Sequence, residues 1–126
     1  MSPAVSSVLV VDGANVVGAR PDGWWKDRAG AARRLHDSLL RADVPYDEVV
    51  LVLEGQAKSA MPPGKDAHVR VVHARGHGDD AIVAEARRAV DAGSTTAVVT
   101  ADRLLAGRVE HAGASVKSPT WLLEHF

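Results

Sequence analysis

Carboxylates recur at the ends of apolar runs in this chain. Asp12 follows Val8-Leu9-Val10-Val11, Glu54 follows Val49-Val50-Leu51-Val52-Leu53, and Asp102 comes just after Ala97-Val98-Val99-Thr100. Asp79 and Asp80 open a stretch with helical spacing. Short buried strands interleaved with helices build a parallel sheet, whose ligands bind beyond the carboxyl ends of the strands. Three separate strands would then deliver acids to one rim. Carboxylates that repel one another need a reason to converge, and a divalent cation is the usual one. A hard ion such as Mg²⁺ prefers oxygen ligands, and Asp12, Glu54, Asp79, Asp80 and Asp102 are an adequate supply for one ion or two. Such a site suits phosphoryl chemistry, because it neutralises a phosphodiester and stabilises the leaving oxygen. Each acid also has a plainer explanation. Asp79 and Asp102 at helix starts fit caps or dipole partners, and Asp12 before Gly13 fits a turn former. None of these accounts for acids at corresponding ends of several strands.

Basic residues lie close to the acids in sequence. Arg20, Lys26 and Arg28 follow Asp12, Lys58 and Lys65 lie in the loop after Glu54, and Arg103 adjoins Asp102. Such groups hold flanking phosphates, which position a strand without reading its sequence. Of these, Lys58, Lys65 and Arg103 are the strongest expectations, with Arg20 beside them. Arg33, Arg34, Arg41, Arg87 and Arg88 read as solvated surface. Trp24 and Trp25 offer one stacking platform for unpaired bases, since the other member of the pair is expected to pack against the first helix. His68, His73 and His77 match no common zinc spacing, and the first two are expected on opposite faces of a strand.

The elements that must position these groups follow from periodicity. A first strand over about 7–12 ends in the turn Asp12-Gly13-Ala14-Asn15, and Pro21-Asp22-Gly23 marks a loop. From Asp27 to Ala42 the spacing of Ala32, Leu35, Leu39 and Leu40 predicts a helix with one buried face, ended by Val44-Pro45. A second strand runs to Leu53, and Glu54 to Lys65 reads as an irregular loop. A short strand spans His68 to His73, and a helix spans Asp79 to Ala92 with Gly93 as its stop. A fourth strand covers Thr96 to Thr100, and a short helix starts at Asp102. A weak fifth strand lies near Ser115-Val116-Lys117, and Ser118-Pro119 caps a last helix. The sum is one three-layer α/β/α domain over 7–126, with a central, mainly parallel sheet of four or five strands and a disordered tail at 1–6.

Composition sets the outer bounds. The 126 residues are 46% hydrophobic, enough for a core, and carry a net charge of −1, so any nucleic-acid contact must be a local patch. Cysteine is absent, which removes disulfides and thiolate metal sites and suits a cytoplasmic location. The N-terminus lacks the pattern of a signal peptide, and no apolar run approaches the roughly 18–20 residues of a membrane span.

The ordered set Asp12-Gly13-Ala14-Asn15, Gly78-Asp79-Asp80-Ala81-Ile82 and Val98-Val99-Thr100-Ala101-Asp102-Arg103 resembles the PIN-like nuclease superfamily. Within it, the chain is similar over about residues 8–123 to the NYN domains, specifically the YacP-like bacterial ribonucleases. The resemblance implies a Mg²⁺- or Mn²⁺-dependent endoribonuclease that leaves a 5′-phosphate. Carried over by position, Asp12 and Asp102 would be metal ligands, Asp79 or Asp80 the central one, and Asn15 would orient the first acid. Glu54 stands where such domains often have Asp, and is expected as a ligand or as a base beyond the ligands. The implied partner is RNA, with mRNA or ribosome-presented RNA both open, and PIN-like domains often pair as homodimers.

Other classes fit less well. A response-regulator receiver would need a phosphorylatable Asp at the end of the third strand, where the chain has His73-Ala74-Arg75. A pyrophosphohydrolase would need a glycine-rich cradle or a dense Glu cluster, and a dinucleotide-binding domain would need Gly-x-Gly-x-x-Gly after the first strand. A non-catalytic RNA-binding or protein-interaction module of the same fold, and a toxin-type PIN ribonuclease held by an antitoxin, remain as alternatives.

Overall fold

Side-chain alternation along the strands decides which layer each helix occupies. The computed structural model describes residues 6–126; the part of the expected tail at 1–5 lies outside the described residues. Ser6 is already tied down, its carbonyl accepting from the Thr95 amide at 2.9 Å. In β1 (Ser7–Asp12) and β2 (Glu48–Leu53), Leu9, Val11, Val49, Leu51 and Leu53 face one side of the sheet. Val8, Val10, Val50 and Val52 face the other. The first face packs on α1 (Gly13–Gly18) through Val16 and on α2 (Arg28–Arg41) through Leu35 and Leu39. It also packs on α5 (Pro119–Leu123) through Leu122. The second packs on α3 (Gly78–Asp91) through Ile82, Val83 and Ala86, and on α4 (Arg103–His111) through Leu105 and Val109. Burying apolar side chains on both faces is what makes these strands nearly continuous apolar runs.

The sheet has six strands in the order β3-β4-β2-β1-β5-β6, with β3 at Gly64–Asp66, β4 at Val69–His73, β5 at Thr95–Val99 and β6 at Ser115–Lys117. Five are parallel, and β3 adds to β4 in antiparallel fashion. The expected three-layer, mainly parallel α/β/α domain is therefore present. The extra edge strand begins at the end of the segment Glu54 to Lys65 read as irregular loop and runs one residue past it, and the same segment holds a 3-10 turn at Gly55–Ala60. A three-residue strand with every residue exposed leaves no apolar alternation to read. From β1 the chain steps to β2 and the β3 edge, then returns to β5 on the other side of β1. Right-handed crossovers consequently put α1 and α2 on one face and α3 and α4 on the other. The reversal of strand order creates a crevice at the carboxyl end of β1, between it and β5. Among the described residues no helix is long and apolar enough to cross a membrane.

Local chemistry bounds α2, α3 and α5 close to where the sequence predicts. Asp27 caps α2 by accepting from the Gly30 amide at 2.8 Å, Ser118 caps α5 through the Trp121 amide at 3.1 Å, and Gly93, at φ 87°, closes the turn after α3. The short α1 follows Asp12 directly, in place of a simple turn. Asn, Val and Gly are poor helix formers, so nothing in its composition announces it.

Candidate active site

Three strand ends meet at that crevice. Asp12 closes β1 and lies in register with Val52, while Val11 is opposite Val99 of β5. Asp12, Glu54 and Thr100 continue the alternation of Val10, Val52 and Val98, so all three belong to the α3/α4 face. Asp12 is only 7% exposed. Its Oδ1 accepts from the Asn15 amide at 3.3 Å, capping α1, and its Oδ2 accepts from the Thr100 hydroxyl at 3.0 Å. Thr100 Oγ1 in turn accepts from the Asp102 amide at 3.1 Å, and Asn15 Oδ1 accepts from the Ala101 amide at 2.8 Å. Two independent links thus fasten the turn bearing Asp102 to the end of β1. Thr100, which the sequence reading did not single out as a site residue, joins this network; its signal in the sequence is a hydroxyl residue at the end of an apolar run, just before the turn that bears Asp102.

The remaining acids separate into two groups. Glu54 Oε2 accepts from the Gly78 amide at 3.0 Å, so this carboxylate caps α3 from a neighbouring strand. His77, the residue at the capping position itself, makes no side-chain cap. Asp79, in the first turn of α3, is half-buried, and its charge bears on Asp12. Asp80 points elsewhere: its side chain is 87% exposed and pairs with Arg108 at 2.9 Å. Asp102 caps α4 through the Leu104 and Leu105 amides at 2.9 and 3.1 Å, so its capping role is real and occupies one oxygen.

Burial pushes the Asp12 carboxyl above the usual aspartate range, the Thr100 and Asn15 hydrogen bonds oppose this, and the charges of Asp79 and Glu54 raise it further. None of Asp12, Glu54, Asp79 or Asp102 forms an ion pair among the described residues. The donors are hard oxygens, and the charges of Asp79 and Glu54 bear on a buried Asp12 that no ion pair among the described residues offsets. That chemistry fits Mg²⁺ or Mn²⁺. Among the described residues, no three acidic or histidine side chains lie close enough to form a ready-made cation cage.

The basic residues distribute unevenly. Lys58 donates to the Ala74 carbonyl at 3.0 Å and so braces the turn after Glu54 against the segment leading into α3. Arg103 is exposed in the first turn of α4, beside Asp102, with no ion-pair partner among the described residues. Lys65 sits opposite Arg70 on the edge strand and pairs with Glu48 at 3.7 Å. Glu48 is six residues before Glu54, or roughly 20 Å along the strand at its usual rise. Arg20 lies 5.1 Å from the Phe126 ring centre and donates to Ser38 Oγ at 3.5 Å, both outside the acidic rim. Trp24 packs against the core beside α2, and Trp25, edge-on to it at 6.0 Å, is 58% exposed. His68 precedes β4, so strand alternation does not govern it. It and His73 each hold a backbone carbonyl, Leu39 at 3.0 Å and Met61 at 2.8 Å.

No family model and no curated protein matches the sequence. Among solved structures, the chain is similar to Rae1 (YacP) from Bacillus subtilis, with a TM-score of 0.72 at 20% identity, over 94% of this chain and 73% of that one. The chain thus has the NYN/PIN-like fold of YacP, the fold that its acid-bearing motifs resemble.

Proposed function

We propose that this chain is a Mg²⁺- or Mn²⁺-dependent endoribonuclease. The observation that carries the proposal is the buried Asp12, set beside Glu54 and Asp79 at the switch point of the sheet. Asp12, Asp79 and Asp102 would hold the ion, which when bound supplies charge neutralisation for the phosphodiester and its leaving oxygen. Thr100 and Asn15 position Asp12 and Asp102 relative to each other. Glu54 is anchored through Oε2, which leaves Oε1 as the oxygen able to take a proton from the attacking water. Water adds to phosphorus in line, the bond to the 3′ oxygen breaks, and the products carry a 3′-hydroxyl and a 5′-phosphate. Arg103, exposed beside Asp102, and Lys58, in the turn after Glu54, suit the neighbouring phosphates.

Between the two acids of the α3 start, the pairing of Asp80 with Arg108 and the coupling of Asp79 to Asp12 support Asp79 as the ligand. The test is cleavage of an end-labelled, partly single-stranded RNA in Mg²⁺ or Mn²⁺. The expected result is cutting that EDTA, Asp12→Asn and Asp79→Asn each abolish and that Asp80→Asn retains. Cutting by Asp12→Asn at the wild-type rate would overturn the assignment. A second reading, a binding module without chemistry, is favoured by the lack of a closed acid trio among the described residues. It predicts RNA binding with no cleavage in either metal.

A further inference from the structure

A cleft of about 360 Å³ opens beside the acids, on the α1/α2 side of the sheet. Gly13, which directly follows Asp12, and Glu54 both line it, so it begins where the acidic rim ends. Its inner surface is aliphatic, from Val17, Leu53 and Ala57, and Trp24 closes one side with the Arg28 guanidinium 5.1 Å from a ring centre. A second groove shares Arg28, Gly55 and Gln56 with the first and continues to Lys26; its one acid, Asp27, is engaged in capping α2. Apolar walls with an aromatic and a guanidinium plane suit a flat heterocycle, and a cationic exit suits the phosphate attached to it. The volume lies within the roughly 300–1,000 Å³ of small-ligand sites.

We propose that this cleft receives the unpaired base of the nucleotide next to the scissile phosphate, while Arg28 and Lys26 hold the following phosphate. The inference rests on the ribonuclease reading for the identity of its ligand. It makes the protein selective for single-stranded over paired RNA at the cut, because a paired base enters only after unpairing and unstacking, at a cost of a few kcal/mol. Trp24 then serves as a wall of the base site even though it also packs on the core.

The experiment measures equilibrium binding of a dye-labelled single-stranded RNA octanucleotide and of its blunt duplex, by anisotropy in EDTA so that nothing is cut. Ala14→Leu and Ala57→Leu narrow the cleft from two sides, and Arg28→Ala removes the guanidinium. The expected result in the two filled variants is a single-strand Kd weakened by roughly 5- to 150-fold, the effect of losing one stacked base, with duplex affinity unchanged, while Arg28→Ala weakens single-strand binding more than duplex binding. Thermal melts confirm folding, and Ala14, being exposed, keeps the test valid if Ala57→Leu does not fold. Unchanged single-strand affinity in the filled variants, equal loss for duplex, or no RNA binding by the wild type overturns the base site. Cleavage is scored separately. A filled variant that binds and cuts like wild type refutes the cleft alone, whereas cleft-dependent binding without cleavage in metal refutes the nuclease alone.

Discussion

Replacing Gly13 with Ala sets two well-defined effects against each other. In an ordinary helix position the change is favourable by roughly 0.5–1 kcal/mol, because Gly loses more chain entropy on folding. At Gly13 a Cβ would lie 2.5 Å from the Val52 carbonyl oxygen, with Leu53 Cδ2 at 3.1 Å and Leu51 Cδ1 at 3.3 Å. The first of these is about 0.8 Å short of the ~3.3 Å at which carbon and carbonyl oxygen ordinarily meet. The obstructing atom is backbone, in the residue paired with Asp12 across the sheet, so no side-chain rotation relieves it. Overpacking of this kind costs about 1–3 kcal/mol, which outweighs the helix gain. A net loss near 1 kcal/mol corresponds to a fall in Tm of roughly 3–6 °C for a domain of this length. Gly107, inside α4 with nothing within 4 Å of a built Cβ, isolates the other effect, and Gly107→Ala should raise stability by about 0.5–1 kcal/mol. Urea denaturation with a common m-value measures both. A Gly13→Ala protein as stable as wild type, or more so, would refute the claim that α1 and β2 are in backbone contact beneath the acid site.

Three further outcomes follow from the same geometry. Because Asp12 is raised above its unfolded value of 3.8, it favours folding when protonated, and that contribution fades as pH rises through its folded pKa. In EDTA, Asp12→Asn should therefore gain stability relative to wild type as pH rises above 3.8; urea titrations at each pH would show the difference, and a gap that widens in wild type's favour would sink the argument. Thr100→Val keeps shape but removes a donor from Asp12 and an acceptor from the Asp102 amide, at a cost of roughly 1–3 kcal/mol. It should also raise the Asp12 pKa further, a shift visible by NMR titration of the carboxyl carbon. Arg108→Ala, by contrast, removes only an exposed pair with Asp80 and should change stability by less than about 1 kcal/mol, checked by the same denaturation series.

Much of this architecture is local, and local features are legible in sequence. The apolar runs ending at Asp12, Glu54 and Thr100, the caps at Asp27 and Ser118, and the stop at Gly93 are set by side chains within a few residues of where they act. Their order alone determined a layered, mainly parallel sheet with acids at its carboxyl rim. What only the tertiary structure decided are relations between distant segments. Asp79 and Asp80 are neighbours with the same chemistry, yet the successive side chains of a helix diverge by about 100°, and the approach of α4 puts Arg108 on Asp80. The Thr100 hydroxyl finds Asp12 across 88 residues, and Glu54 reaches the α3 start across 24. Lys65 and Lys58 sit in one loop by sequence, but β3 pairing carries Lys65 toward Glu48 while Lys58 stays by Ala74. Periodicity reports which face of its own element a residue occupies; which partner waits there depends on strand order and helix docking, and those arise only when the chain closes on itself.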